Sequence, residues 1–150
     1  MHRNLWRPAA VSICLPVALC AFLVSGCGGD AGPKVVPVVG TVTVDGSPLA
    51  TANVSFKPDI TKGNKAQFEP GGTANDKGQF ELTTANKPGA PEGWYKVVVY
   101  PPTPPRSGGD LPKVGPPPFN VKYTDAGSTD ISIEIKAGAA AGAYDLKLTK

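Results

Sequence analysis

VGTVTVDGSPLATANVSFK, running from Val39 to Lys57, holds two stretches with the side-chain period of a strand and a turn between them. Val39 to Val44 is rich in β-branched residues and stops at Asp45-Gly46, a strong hairpin signal because both residues accept positive φ. Ala52 to Lys57 puts Val54 and Phe56 on one face and Asn53, Ser55 and Lys57 on the other, as in a half-buried strand. Pro58 closes that run, since it has no N–H to give to a ladder.

Working outward, residues 59–70 are polar and aperiodic and read as a loop carrying Lys62, Lys65 and Glu69. Gly72 to Ala74, the turn Asn75-Asp76-Lys77-Gly78 and the return Gln79 to Thr83 predict a tight hairpin, with Phe80 and Leu82 on one face. A Pro/Gly cluster from Lys87 to Gly93 precedes Trp94 to Tyr100, whose Val97-Val98-Val99 suggests a central strand buried on both faces. Residues 101–118 are too rich in proline for a ladder and read as an extended loop, either a stiff spacer or a ligand for an aromatic groove. Phe119 to Tyr123 is expected to re-enter the sheet, Ile131 to Ile135 alternates with Ser132 and Glu134 outward, and Tyr144, Leu146 and Leu148 form a last strand. Seven of these short strands, with the return at Phe119 to Tyr123 beside them, predict an all-β fold, a seven-stranded antiparallel β-sandwich. The composition agrees: 18 Gly, 17 Pro and 18% charged residues in 150 point to one turn-rich domain with little helix.

The N-terminus reads as an address. His2, Arg3 and Arg7 precede an apolar run from Ala9 to Val24, broken only by Ser12 and Pro16. That run falls short of the roughly 20 apolar residues of a spanning helix, so a signal peptide over residues 1–26 is preferred. Leu23-Val-Ser-Gly-Cys27 resembles the lipobox of bacterial lipoproteins, an aliphatic residue, two small residues and a cysteine. The resemblance implies cleavage between Gly26 and Cys27 and acylation of Cys27. Two long acyl chains at about 0.8 kcal/mol per buried methylene make attachment to a membrane effectively permanent. Residues 27–36 then form a lipidated flexible tether and 37–150 the folded domain. Gly28, where lipoproteins held at the inner membrane of enteric bacteria carry Asp, leans the expected location towards the outer membrane or cell surface.

Removing Arg3 and Arg7 from the 15 basic residues leaves 13 against 12 acidic ones, about +1, which gives no electrostatic case for nucleic acid. Cys14, Cys20 and His2 also precede the cut, so the exported part has one cysteine and no histidine. Without a base to activate a nucleophile, and with Cys27 assigned to lipid, no catalytic residue, metal or cofactor is expected. Asn75-Asp76-Lys77-Gly78, Asp125 and Asp130 supply oxygen donors but lack the spacing of a dedicated calcium loop, and are read as turn residues.

The order of motifs suggests a family. Gly40-Thr-Val-Thr-Val-Asp-Gly46, Pro48-Leu49, Ala52-Asn-Val-Ser-Phe56, Gly72-Thr-Ala-Asn-Asp-Lys-Gly-Gln-Phe80, Gly93-Trp-Tyr-Lys-Val97 and Phe119-Asn-Val-Lys-Tyr123 together resemble the carboxypeptidase regulatory-like domain, a transthyretin-like (prealbumin-like) sandwich. What this implies is an accessory module, a non-catalytic binding or structural part of the cell envelope with an envelope protein or glycan as partner. The alternative is a carbohydrate-binding accessory lipoprotein, with Trp94, Tyr95, Tyr100 and Tyr123 as a stacking platform. Alternation places Trp94 and Tyr95 on opposite faces, so at least one belongs to the core.

Overall fold

The computed structural model describes residues 32–102 and 115–150. The signal peptide, Gly26, Cys27 and the middle of the proline-rich loop lie outside the described residues. The described chain is all-β, with ten short strands: β1 (Val39–Val44), β2 (Ser47–Pro48), β3 (Asn53–Pro58), β4 (Gly71–Thr73), β5 (Gln79–Glu81), β6 (Thr83–Thr84), β7 (Lys87–Pro88), β8 (Gly93–Tyr100), β9 (Ser132–Ile135) and β10 (Leu146–Leu148). Two 3-10 turns, Ile60–Lys62 and Val121–Thr124, are the only helical segments among them.

A four-stranded sheet runs β10-β1-β2, with β5 paired to the first half of β1, and a six-stranded sheet runs β7-β6-β4-β3-β8-β9. The β1–β2 hairpin forms where Asp45-Gly46 predicts it. Val44 pairs with Ser47, and Asp45 (φ 47°) and Gly46 (φ 84°) take the left-handed conformations of a two-residue hairpin loop. The alternation of β1 and β3 is realised as buried Val42, Val44, Val54 and Phe56. Both sheets contribute to one core, in which Phe56 packs tilted against Phe80 at 6.5 Å and against Tyr95 at 6.0 Å between ring centroids. Such aromatic pairs add about 0.5–1.5 kcal/mol each beyond the area they bury. Gly40 is set by this packing: a Cβ there would come within 2.4 Å of the Tyr144 carbonyl oxygen and 2.8 Å of the Phe80 ring.

Four expectations are corrected. Ten strand segments stand where seven are predicted, because β2 and the β6–β7 hairpin hide in turn-like sequence; Ala85 (φ 48°) and Asn86 (φ 65°) make a two-residue turn without glycine. The pairing is not wholly antiparallel: β1 and β10 run parallel, Val42 opposite Leu146 and Val44 opposite Leu148. Nearly the whole domain separates these strands, more than enough chain for a parallel crossover. The hairpin over residues 72–83 is divided between the sheets, since β5 pairs with β1 while β6 pairs with β4 only through Gly71 and Thr83. Leu82 is the pivot, fully buried, its N–H donating to the Val38 carbonyl at 3.0 Å and its carbonyl accepting from Gly89 N–H at 2.6 Å. Phe119 to Tyr123 does not re-enter a sheet. The Asn120 side chain accepts from the Lys122 N–H at 3.0 Å and winds the chain into the Val121–Thr124 turn, a local bond that competes with ladder pairing.

Candidate functional site

The lipidation position Cys27 and the cleavage pair Gly26–Cys27 lie outside the described residues. The four aromatic candidates do not share one surface. Tyr95 is fully buried in the core, its hydroxyl donating to the Pro91 carbonyl at 3.0 Å, and burial raises its phenol pKa above the ordinary value. Tyr123 is 3% exposed and stacks tilted on Phe119 with centroids 6.4 Å apart. A platform of all four is therefore corrected to two residues, Trp94 and Tyr100, which strand alternation places together on the outer face of β8.

Register fixes what surrounds them. On that face Tyr100 lies opposite Asn53, Val98 opposite Ser55, Lys96 between Lys57 and Ser132, and Trp94 opposite Glu134. Val98 is closed over by its surroundings, only 1% exposed, which divides the open surface into a Tyr100 end and a Trp94 end.

The Tyr100 end is a shallow groove of about 460 Å³ whose floor and walls come from Asn53, Ser55, Gly71, Gly72, Thr73, Glu81, Thr83 and Tyr100. Asn53, Ser55, Thr73 and Thr83 contribute amide and hydroxyl groups, and Tyr100, 42% exposed, supplies an aromatic wall. Thr73 Oγ1 donates to Asn53 Oδ1 at 2.8 Å and Thr83 Oγ1 to the Gly71 carbonyl at 3.2 Å, which orients two of the hydroxyls. Gly71 leaves the floor bare although a Cβ there would meet no more than ordinary contact, 3.4 Å from the Val54 carbonyl oxygen.

The Trp94 end is built by the 59–70 loop. The Trp94 carbonyl accepts from both Asp59 N–H and the Asn64 side chain, and Lys62 Nζ sits 3.7 Å from the centre of the indole while bonding Ser132 Oγ at 2.9 Å. Asp59 caps the Ile60–Lys62 turn: its Oδ1 accepts from the Thr61 hydroxyl at 2.5 Å and the Thr61 N–H at 3.1 Å. The Thr61 hydroxyl is the main reason its carboxyl titrates below the ordinary range, outweighing the opposing effect of burial, with smaller help from Lys96. Asp59 is 4% exposed and its Oδ2 has no hydrogen-bond partner among the described residues. Beside the loop lies a second groove of about 480 Å³, lined by Lys57, Pro58, Ile60, Lys65, Ala66, Gln67 and Glu69, with Lys57 paired to Glu69. Sequence reasoning leaves 59–70 as plain loop, although Pro58-Asp59 followed by Thr61 is the chemistry of a side-chain-capped turn.

Asn75, Asp125 and Asp130, weighed as oxygen donors for calcium, serve the chain itself. Asn75 Oδ1 accepts from the N–H groups of Lys77 and Gln79, at 2.9 and 3.0 Å, and Asp125 Oδ1 accepts from Gly127 N–H at 2.8 Å. Asp130 pairs with Lys122 at 2.8 Å, a hydrogen bond that lowers the carboxyl pKa and raises that of the ammonium. Among the described residues no group of three or more His, Cys, Asp or Glu side chains is placed to hold a metal ion, and no helix is long and apolar enough to cross a membrane.

Comparison of the chain with protein-family models, curated proteins and solved structures finds no match.

Proposed function

We propose that this protein is a lipid-anchored module of a bacterial cell envelope, attached through acylated Cys27 and exposed at the outer membrane or cell surface, which binds or organises an envelope partner without catalysis. The observation that carries the reading is the Leu23-Val-Ser-Gly-Cys27 motif at the end of an apolar run, only a few residues before the first described residue, Gly32. Two sheets around one core, together with the order of the strand motifs, support a transthyretin-like sandwich of the carboxypeptidase regulatory-like kind as the finer description. The absence of histidine after residue 26 supports a non-catalytic role. Expression in a lipoprotein-processing bacterium followed by intact-mass analysis tests the anchor: the expected product starts at Cys27 and carries acyl mass, and Cys27→Ser moves the protein out of the membrane fraction. A Cys27→Ser chain that stays wholly with membranes refutes it.

The groove beside Tyr100 favours a second reading, a carbohydrate-binding accessory lipoprotein, because an aromatic wall beside hydroxyl and amide groups suits a sugar ring. A glycan array discriminates the two. Signal lost in Tyr100→Ala supports the saccharide reading, and a blank array on acylated protein leaves the protein-binding one.

A further inference from the structure

Register gives the Tyr100 groove an order. Tyr100 lies opposite Asn53, and Asn53 opposite Thr73. Gly71 pairs with Thr83 in an antiparallel sense, so the next outward positions set Thr73 beside Glu81. Phe80 and Leu82 are buried, which turns Glu81 and Thr83 outward. The two segments are pressed together there, since a Cβ on Gly72 would come within 2.2 Å of the Glu81 carbonyl oxygen. The groove therefore carries one row of Tyr100, Asn53, Thr73 and Glu81, with Ser55, Gly71 and Thr83 in the row beside it. Neighbouring strands stand about 4.8 Å apart, which makes the first row about 14 Å long, a length that takes two linked sugar rings rather than one.

The two ends of the row differ in chemistry. Tyr100 offers a ring face, and Glu81 offers charge. Among the described residues, Glu81 and Asp76 are the two acidic side chains that make no hydrogen bond or ion pair, and Asp76 sits in the Asn75–Gly78 turn, outside the groove. No Lys or Arg lines the groove, and Lys57, the next outward residue of β3 after Ser55, is already paired with Glu69. A free carboxylate with no cation along the row repels an acidic sugar and attracts an ammonium group. Between the ends, Gly71 keeps the floor low where a side chain would fit.

We infer that the Tyr100 groove is a site for an amino-sugar oligosaccharide, one ring stacked on Tyr100 and the ammonium group of the next at Glu81; this rests on the saccharide reading. Thr73, held by its bond to Asn53, and Ser55 face the hydroxyl groups between those two points.

The test is calorimetric titration of the acylated mature protein, in a detergent without a sugar headgroup, with tetramers of glucosamine, N-acetylglucosamine and galacturonic acid. A pH of about 5.5 lies above the ordinary carboxylate range and below that of an amine. The glucosamine tetramer is expected to bind about three-fold or more tighter than the N-acetylated one, a modest factor because an exposed ion pair is weak, and the galacturonate tetramer weaker still. The preference is expected to shrink as salt is added. Glu81→Gln is expected to bring the glucosamine and N-acetylglucosamine tetramers to equal affinity, whereas Tyr100→Ala loses all three. Gly71→Val fills the floor without touching either end, and is expected to abolish binding while leaving the melting curve in place. Equal affinity for the three tetramers, or a preference for glucosamine that survives Glu81→Gln, overturns the inference and leaves the saccharide reading standing. No binding of any tetramer, or binding untouched by both Tyr100→Ala and Gly71→Val, overturns the saccharide reading at this groove and the inference with it.

Discussion

Asn64 and Trp94, 30 positions apart, are joined by a 2.8 Å hydrogen bond from the Asn64 side-chain amide to the Trp94 carbonyl. That carbonyl also accepts from Asp59 N–H at 2.9 Å, so one backbone oxygen at the start of β8 gathers two points of the 59–70 loop. The other side of the Asn64 amide is used as well, Oδ1 accepting from Ala66 N–H at 3.0 Å. Gly93 makes room for the arrangement: its φ is 141°, and a Cβ there would stand 2.9 Å from Asn64 Nδ2. A loop that looks featureless in sequence is therefore tied at Asp59 and at Asn64 to one carbonyl.

Asn64→Ala is expected to leave the Ala66 N–H without a partner and the Trp94 carbonyl with one donor. Buried groups abandoned in this way cost about 1–3 kcal/mol. For a domain of this size that lowers the melting temperature by about 5 °C or more. Gly93→Ala is expected to act in the same direction through its strained φ and its clash with the amide. Melts by circular dichroism check both, and two unchanged curves would show that the loop is not held by this contact.

Lys62 offers an optical reading of the same loop. Trp94 is the lone tryptophan after the predicted cleavage point, and Lys62 covers its ring at 3.7 Å. Lys62→Ala is expected to red-shift the emission and increase acrylamide quenching, with a stability loss of about 0.5–1 kcal/mol, the usual size of a cation–π contact near the surface. Emission that does not move would mean that the ammonium does not shield the indole in solution.

The pivot between the sheets is expected to be a sensitive position of the 79–84 segment. Leu82 has no exposed surface, and Leu82→Ala is expected to cost about 2–5 kcal/mol, measurable by urea unfolding. Val39, on β1 but 60% exposed, is the control, since Val39→Ala is expected to stay within about 0.5 kcal/mol. Equal effects at the two positions would contradict the description of Leu82 as the corner.

Much of this architecture is legible in period-2 patterning. β1, the Val54–Phe56 face of β3 and the Tyr144, Leu146, Leu148 face at the end of the chain follow directly from alternation, and the unbroken Val97-Val98-Val99 run announces a strand buried on both faces. Alternation carries no information about direction or partner, which is why the parallel β1–β10 pair and the split of residues 79–84 between two sheets are not legible. The β6–β7 hairpin escapes because Ala85-Asn86 adopts positive φ without a glycine to announce it. The candidate site divides in the same manner. Parity along β8 separates Trp94 and Tyr100 from Tyr95, whereas the burial of Tyr123 depends on a turn capped by Asn120 that has no periodicity to read.

The acid response of the domain follows from two carboxylates held below their ordinary pKa, Asp59 by the Thr61 hydroxyl and Asp130 by Lys122. A depressed folded-state pKa means that the unfolded chain binds the proton first as pH falls. The stability contributed by each group is therefore fully present above the unfolded carboxylate value of about 3.9 and is lost as pH drops through the lower folded value. Lys122 gives the opposite limb: its raised pKa contributes stability below the unfolded lysine value of about 10.4, lost as pH rises through the folded one. With no histidine after His2, nothing of the imidazole kind titrates in between. The urea midpoint is expected to be flat from about pH 5.5 to 8 and to fall below about pH 4. Asp59→Asn keeps the size of the side chain and removes its titration, so its acid limb is expected to be shallower than that of the unmodified protein. Parallel acid limbs for the two chains would show that Asp59 binds its proton equally well folded and unfolded, and would remove the Thr61 contact from the account of how this turn is held.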